Sequence, residues 1–293
     1  MIYITLMDKI ALHLPKDEGR PGLNYITSTF PSGEGYVKLT DPGLIPETVD
    51  IYYRWQGDSS LIQLFNFVNA LRLKGAKKLN LFCPYFPGCR SDRVGKKNEG
   101  EALSSKVYAQ LVNSLQFNEV VVFDPHSDVV PSLLDNRRIV TNHEFVAHIL
   151  RNFQGESVII SPDAGANKKI FDLVEFLGGS RKVIRADKKR DVTTGQLVRG
   201  ECTVFAETGE LEGKTCFLID DICSKGGTFI TLAKELKKLG AGNIFLIVSH
   251  YEGVADQSEL MAAGISRVFT TTSLINTTLP GSFVETTDIK ALL

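Results

Sequence analysis

Long hydrophobic runs are missing from the sequence. No apolar segment approaches the roughly 18 residues that a membrane-spanning helix needs. The N-terminal stretch MIYITLMDKIALHL also lacks the basic segment and long apolar core of a secretory signal. An excess of charge of one sign is missing as well, since the formal net charge is −1. We therefore expect a cytoplasmic protein that binds neither membranes nor nucleic acid, although a local basic site remains compatible with this balance.

Paired cysteines are the third absence. The five cysteines are scattered, with no CxxC pair and no histidines at zinc spacing: Cys83, Cys89, Cys202, Cys216 and Cys223. We expect reduced, mostly buried thiols. The remaining composition is ordinary for a globular protein, with 43% hydrophobic and 23% charged residues. A chain of 293 residues is long enough for one large or two average domains.

The most informative stretch present is Thr215–Thr228, TCFLIDDICSKGGT. Cys216–Ile219 is a short apolar run that predicts a buried parallel strand. Asp220 and Asp221 follow it, at the strand end where open α/β sheets bind their ligands. Next comes a glycine-rich turn, Ser224–Thr228, and then a helical pattern, which together predict a phosphate-binding turn. The carboxylates would repel a phosphate unless they hold a metal or sugar hydroxyls; an acidic loop that caps the helix is the simpler alternative.

Strand and helix patterns alternate along the rest of the chain. This alternation predicts two parallel-sheet α/β domains with a boundary near residue 145. The other predicted strands are Ile2–Leu6, Ile51–Trp55, Lys78–Cys83, Glu119–Phe123, Ser157–Ile160, Lys182–Ile184, Asn243–His250 and Ser266–Thr270. The predicted helices include Ser59–Lys74, capped by Asp58 or Ser59, then Ala102–Leu115 and Asn142–Asn152.

Charged or polar segments follow several of these strands. Pro84–Glu101 carries Arg90, Asp92 and Arg93, whose arginines suit bidentate phosphate binding, with an ordinary surface loop as the alternative. His126 also follows a strand, where a functional and a structural histidine are equally compatible with the pattern.

Two further segments belong to the second half of the chain. Asp163 stands at a strand end before a phosphate-type turn. Ala186–Gly200 is a polar segment that predicts a mobile loop or a hairpin, and its basic run Lys188–Arg190 would by itself be read as a solvated face.

Five motifs in order carry a family resemblance: PYFPGCRSDR, VVFDPHS, IISPDAGANK, ADKKRD and FLIDDICSKGGT. They resemble those of the ribose-phosphate diphosphokinases (phosphoribosyl pyrophosphate synthases), from about Trp55 to Leu274. The resemblance implies two phosphoribosyltransferase-like domains, each a mostly parallel sheet flanked by helices. Residues 1–145 would carry the ATP-binding loop, and residues 146–293 the acceptor and catalytic loops. It also implies ATP as co-substrate, Mg²⁺, and a homo-oligomer, a dimer or larger.

The resemblance assigns roles residue by residue. Arg90, Asp92 and Arg93 match the ATP-binding segment, and His126 and Asp163 match positions that hold magnesium and nucleotide phosphates. Lys188 and Arg190, with His126, match the catalytic residues. Asp220 and Asp221 match the pair that contacts the ribose hydroxyls. The acceptor's 5-phosphate would be bound by Ser224, Lys225, Gly226, Gly227 and Thr228.

The sequence departs from the family at two places. The acceptor loop begins Ser224-Lys225, where the family usually has Asp-Thr or Ser-Thr. Lys225 either points outward or reads an additional phosphate, as in ADP-ribose, and DDIC before a glycine-rich loop also resembles divergent members associated with NAD salvage. FPSGE resembles the adenine-contacting turn, but Ser32 replaces the expected aspartate.

Three hypotheses follow. The first is a magnesium-dependent diphosphokinase that acts on ribose 5-phosphate or ADP-ribose. The second is a type I phosphoribosyltransferase, which leaves the Arg90–Arg93 and Lys188–Arg190 segments unexplained. The third is an inactive regulatory homologue, which would be expected to have lost metal or loop residues that this chain keeps.

Overall fold

The computed structural model describes residues 2–6, 23–40, 45–94, 100–190, 197–278 and 281–293. For residues 2–6, 188–190 and 197–200 it describes the backbone alone. The chain divides into two compact units, Met1–Val140 with Leu293, and Thr141–Leu292, and each is described by itself. In the described part of the chain, no helix is long and apolar enough to cross a membrane.

Unit 1 contains a parallel sheet of five strands in the order β1-β4-β5-β6-β7. A separate antiparallel hairpin, β2–β3, lies against α1, where the Asn66 side chain donates to the Gly35 carbonyl at 3.0 Å. The strands are β1 (Ile2–Leu6), β2 (Tyr25–Thr29), β3 (Gly35–Leu39), β4 (Thr48–Tyr53), β5 (Lys78–Phe82), β6 (Glu119–Phe123) and β7 (Arg137–Val140). The helices are α1 (Asp58–Leu73), α2 (Ser104–Ser114) and α3 (Val129–Leu133).

The apolar pattern of helix α1 predicts its buried face correctly but not its N-terminal cap. Its buried stripe includes Leu61, Leu64 and Leu71, at the spacing that one helix face requires. The predicted cap, Asp58 or Ser59, is wrong. The N-cap residue is Gly57, at φ 94°, and no side chain caps the helix. Glycine reaches this left-handed conformation without strain and turns the chain into the helix by itself.

Unit 2 contains a sheet of seven strands in the order β10-β9-β8-β11-β12-β13-β14, parallel except for the β9–β10 pair. The strands are β8 (Ser157–Ser161), β9 (Val183–Arg190), β10 (Leu197–Val204), β11 (Thr215–Cys223), β12 (Ile244–Tyr251), β13 (Ile265–Thr271) and β14 (Val284–Thr287). The helices are α4 (His143–Leu150), α5 (Asn167–Phe176), α6 (Gly227–Lys238) and α7 (Gln257–Ala262), followed by a 3-10 turn at Ile289–Ala291.

The core of unit 2 forms because the central strands are apolar on both faces. One face carries an aromatic cluster in which the Phe153 ring lies 5.1 Å from Phe217 and 4.5 Å from Phe245. The other includes Leu218 and Leu246 in a cluster with helix α6. The cysteines are free thiols, and four of the five are buried, as expected. The predicted α/β class with mostly parallel sheets is confirmed.

Candidate active site

The acid pair lies inside strand β11. The strand was expected to end at Ile219 but continues through Asp220 and Asp221 to Cys223, because Ile222 and Cys223 remain paired with β12. Asp221 is buried, with 6% of its surface exposed, whereas Asp220 is half-buried. The Asp221 backbone N–H donates to the Asp220 carboxylate at 2.9 Å. The carboxylates therefore stand at the carboxyl end of a central strand, with one neighbouring strand on each side.

Two neighbouring carboxylates act on Asp220 at this edge. Asp163 follows β8, which pairs directly with β11. Burial, the adjacent Asp221 and, to a smaller extent, Asp163 raise the pKa of the Asp220 carboxyl well above its usual value. Asp163 also accepts hydrogen bonds from the backbone N–H groups of Gly165, at 2.9 Å, and Ala166, at 3.2 Å. It thus shapes the turn before α5 while adding negative charge near the pair.

The turn after the acid pair has the geometry of an anion site. Gly226 is the N-cap residue of α6 at φ 77°, and a Cβ atom there would lie 3.1 Å from Leu260. A Cβ on Gly227 would meet nothing within 4 Å. No described side chain caps this 12-residue helix. Its first backbone N–H groups and its dipole therefore favour a phosphate here.

The polar residues of the same turn differ in exposure. Ser224 and Thr228 are half-buried, and Lys225 is exposed. The lysine therefore lies on the solvent side of the turn.

The predicted catalytic segment is part of a hairpin. Lys188 and Arg190 belong to β9, and their backbones pair with Cys202 and Leu197 of β10. The prediction of a loop or hairpin over Ala186–Gly200 is met by this pairing for the described residues, while 191–196 lie outside them. The Lys188 and Arg190 side chains lie outside the described part as well, so their catalytic roles stay predictions.

In unit 1 the arginine segment is held against α2. Gly88, at φ 72°, approaches the helix so closely that a Cβ atom there would lie 2.6 Å from the Tyr108 ring. The Ser91 hydroxyl donates to the Ala102 carbonyl at 2.9 Å, and the Ser105 hydroxyl donates to the Ser91 carbonyl at 3.0 Å. These contacts fix the backbone on which exposed Arg90 and Arg93 stand.

The structure also brings Asp92 to the histidine segment. His126 is half-buried just after β6, whereas Asp92 is buried and accepts from the Arg93 Nε at 3.2 Å. Burial raises the pKa of the Asp92 carboxyl, but Ser127, Arg93 and His126 together outweigh burial and hold that pKa below its usual value. Asp92 is therefore a buried carboxylate that keeps its charge.

Sequence reasoning missed one feature beside the histidine. Asp124 adopts φ 39°, an uncommon conformation for a residue with a side chain, and only 5% of its surface is exposed. Its N–H donates to the Val140 carbonyl at 2.8 Å, which holds the strained turn in place. Strain of this kind clusters at functional sites. The sequence gives no signal for this conformation, because a residue before proline normally takes extended backbone.

The chemistry of the acid cluster suits a magnesium ion. Mg²⁺ prefers oxygen ligands and usually keeps waters and substrate phosphates in its shell. Its positive charge would offset the burial and the neighbouring carboxylates that raise the pKa of Asp220. Across the described residues no group of three or more His, Cys, Asp or Glu is arranged to hold a metal by itself. The two predicted ligands belong to different units, His126 to unit 1 and Asp163 to unit 2.

An acid pair on a central parallel strand, followed by a glycine-rich turn into a helix N-terminus, is the arrangement of a phosphoribosyltransferase-type domain. A family model described as a phosphoribosyl transferase domain matches residues 130–275. The ribose-phosphate pyrophosphokinase of Pyrococcus abyssi is 31% identical over 82% of this chain and 81% of its own length. That of Pyrococcus furiosus is 32% identical over 80% of each.

The chain belongs to the ribose-phosphate pyrophosphokinase family. The crystal structure of phosphoribosylpyrophosphate synthetase from Mycobacterium smegmatis superposes with a TM-score of 0.77 over 93% of this chain and 88% of that one, at 21% identity. That likeness shows a shared fold. The predicted family and the predicted enzyme of diphosphokinase type are confirmed.

Proposed function

We propose that this protein transfers the β,γ-pyrophosphoryl group of ATP to the C1 hydroxyl of a 5-phosphorylated ribose and releases AMP. The observation that carries the proposal is the acid pair of β11 leading into the glycine turn at the N-terminus of α6. One ligand satisfies both features if it has hydroxyls for the carboxylates and a phosphate for the turn. A ribose 5-phosphate group has this combination.

The proposed reaction forms one bond to the β-phosphorus of ATP and breaks another. The C1 oxygen forms a bond to the β-phosphorus, the bond from that phosphorus to the oxygen bridging to the α-phosphorus breaks, and AMP departs with the bridging oxygen. The hydroxyl proton passes to solvent. Such transfers depend on positioning and charge stabilisation rather than on covalent help from the protein, and we nominate no general base.

Each group of candidate residues is assigned to one part of this reaction. We assign ATP phosphates to exposed Arg90 and Arg93, with His126. Lys188 and Arg190 are assigned to the charge on the transferring and leaving phosphates. A bound Mg²⁺ would neutralise phosphate charge, and Asp163 together with His126 is the predicted set of protein ligands for it.

The acceptor is either ribose 5-phosphate or ADP-ribose, whose ring 5-position carries a diphosphate. Exposed Lys225 favours the second, because a cation beside the turn has reach to a phosphate beyond the first. The names of the curated relatives favour the first.

The test is AMP release from Mg-ATP with no acceptor, with ribose 5-phosphate and with ADP-ribose. We expect AMP only when an acceptor is present. AMP release with ribose 5-phosphate alone would indicate an ordinary synthase. AMP release with ADP-ribose alone would indicate that the Ser224–Thr228 turn determines acceptor specificity. Absence of AMP with both acceptors would contradict the proposal and favour an inactive regulatory homologue. A type I phosphoribosyltransferase would instead consume the pyrophosphorylated sugar.

Lys225→Thr separates the two acceptors. If the Lys225 ammonium contacts the additional phosphate, the variant should lower the ratio of kcat/KM for ADP-ribose to kcat/KM for ribose 5-phosphate. The expected decrease is about fivefold, the effect of one exposed charge contact. Lys234→Thr, at an exposed lysine of the same helix region, is the matched control and should leave the ratio unchanged. An unchanged ratio in Lys225→Thr would remove this lysine from acceptor choice.

A further inference from the structure

An aromatic pair of unit 1 lies at the surface rather than in the core. The rings of Trp55 and Tyr108 meet edge to face with their centroids 5.3 Å apart, and both residues are half-buried. Large aromatic residues of the core, such as Tyr53, Phe67 and Phe86, are by contrast fully buried. Half-exposed Trp and Tyr side chains are enriched at interfaces, because each offers a large apolar face together with a polar atom.

The structure holds this pair in a defined orientation. The Tyr108 hydroxyl donates to the Asp58 carboxylate at 2.6 Å, at the first residue of α1. Trp55 lies just beyond the end of β4, on the short connection between that strand and α1. Rings that are fixed before a ligand arrives lose little conformational freedom when it binds.

The pair also lies beside the candidate segment for the ATP phosphates. Strand β4, which leads to Trp55, pairs with β5, which leads to the arginine segment. A Cβ atom on Gly88 would lie 2.6 Å from the Tyr108 ring. Arg90 is the second residue after Gly88, and two residues of chain span at most about 7 Å. One ligand that is aromatic at one end and anionic at the other can therefore contact both the rings and exposed Arg90.

We infer that Trp55 and Tyr108 form the platform on which the base of ATP stacks while its phosphates lie on the Arg90–Arg93 segment. Bases bind aromatic side chains readily because every base has a π-face. The inference rests on the proposed function, since it takes Mg-ATP as the ligand of unit 1. It assigns the base to residues other than the FPSGE turn, to which the family resemblance points.

The first experiment uses intrinsic fluorescence, since Trp55 is the only tryptophan of the chain. Mg-ATP should quench this fluorescence, because a stacked base contacts the indole ring. Mg-tripolyphosphate has the phosphates without a base and should change the fluorescence little even at saturation. Equal quenching by the two ligands would overturn the inference, as would an unchanged signal at saturating Mg-ATP.

Calorimetry with the same two ligands and no acceptor measures the size of the effect. Trp55→Ala should weaken Mg-ATP binding by about tenfold, a typical loss for one base–aromatic stack, and change Mg-tripolyphosphate binding by less than about twofold. Trp55→Phe keeps an aromatic face and should stay within about threefold of the unmodified protein. Phe171→Ala, at an exposed aromatic residue of α5, is the matched control and should leave both affinities unchanged.

Two rival explanations have their own outcomes. A loss of Mg-ATP affinity in Phe30→Ala, on the FPSGE turn, with none in Trp55→Ala would overturn the inference in favour of that turn. A second copy of the chain is the other candidate occupant of the aromatic surface. If Trp55→Ala dissociates an oligomer in sedimentation and keeps its Mg-ATP affinity, the inference is also overturned.

Thermal unfolding of each variant shows whether a folded protein is being compared. If Trp55→Ala does not fold, Trp55→Leu keeps apolar bulk without an aromatic face and should show the same selective loss for Mg-ATP. Equal weakening of Mg-ATP and Mg-tripolyphosphate would show that the residue supports only the local fold, and would refute this inference alone. An unmodified protein that binds neither ligand would refute the proposed function together with it.

Discussion

Unit 1 and unit 2 place candidate phosphate sites at the same kind of location, after a parallel strand, but build them from different groups. In unit 1 the candidate groups are guanidinium side chains, Arg90 and Arg93, which are exposed on a segment fixed to α2. In unit 2 they are backbone N–H groups at the Gly226–Gly227 turn, next to carboxylates. If both candidate sites bind phosphate, the fold sets their location and the local residues set their chemistry.

The difference has a physical reason. A backbone turn binds one phosphate at a fixed distance and leaves room for carboxylates that accept from sugar hydroxyls. Arginine side chains instead reach several oxygens of a polyphosphate and bring positive charge. A chain that binds a sugar phosphate and a nucleoside triphosphate needs both solutions. The predictions below are ordered by expected size and test whether the two sites are separable in this way.

The largest effect is expected where neither site acts alone. Lys188→Ala should lower kcat by about a hundredfold to a thousandfold, the range for removing one group that stabilises transition-state charge. Both KM values should change little. Steady-state kinetics measure this, with Lys238→Ala on the α6 surface as the control. Near-normal turnover would exclude Lys188 from the mechanism.

Asp221→Ala should separate the sites most clearly. Loss of a charged acceptor for a ribose hydroxyl should raise the acceptor KM by about tenfold or more and leave the ATP KM unchanged. Arg93→Ala is the mirror variant and should raise the ATP KM alone by a similar factor. Parallel changes in both KM values, for either variant, would show that the two regions do not act separately.

Gly226→Ala tests the backbone conformation of the turn that would bind the phosphate. The left-handed φ and the contact with Leu260 should destabilise the folded protein by about 1–2 kcal/mol. Gly227→Ala, where a Cβ meets nothing, should be nearly neutral. Urea unfolding measures both. Equal destabilisation by the two alanines would contradict the described turn.

The pH dependence of stability tests the acid cluster. Because folding raises the pKa of Asp220, the folded protein holds this proton more tightly than the unfolded chain does. Its contribution to the free energy of unfolding therefore falls as pH rises from the usual aspartate pKa, near 4, toward the raised value.

Asp220→Asn removes this dependence. The variant should gain on the order of 1 kcal/mol of stability relative to the unmodified protein at pH 7, and little near pH 3. Urea unfolding at both pH values measures the difference, with exposed Asp172→Asn as the control. A gain independent of pH would contradict the assigned cause.

Much of the fold followed from local pattern. Strand β6 has the predicted bounds Glu119–Phe123, because Val120, Val121 and Val122 form a β-branched run that is buried on both faces. Short polar elements escaped prediction, such as β7 (Arg137–Val140), whose strand conformation depends on pairing with β6. In the same way, strand β11 extends beyond its apolar run because β12 continues to pair with it.

The sequence by itself determined the alternation of buried strands and helices and the order of the charged motifs, because burial periodicity and turn residues are local properties. Tertiary structure decided which groups meet. Only the pairing of β8 with β11 brings the charge of Asp163 to bear on Asp220. Only the folded chain buries the Asp92 carboxylate next to the exposed side chain of Arg93. Burial and through-space charge depend on neighbours that are distant in sequence, so no local pattern encodes them.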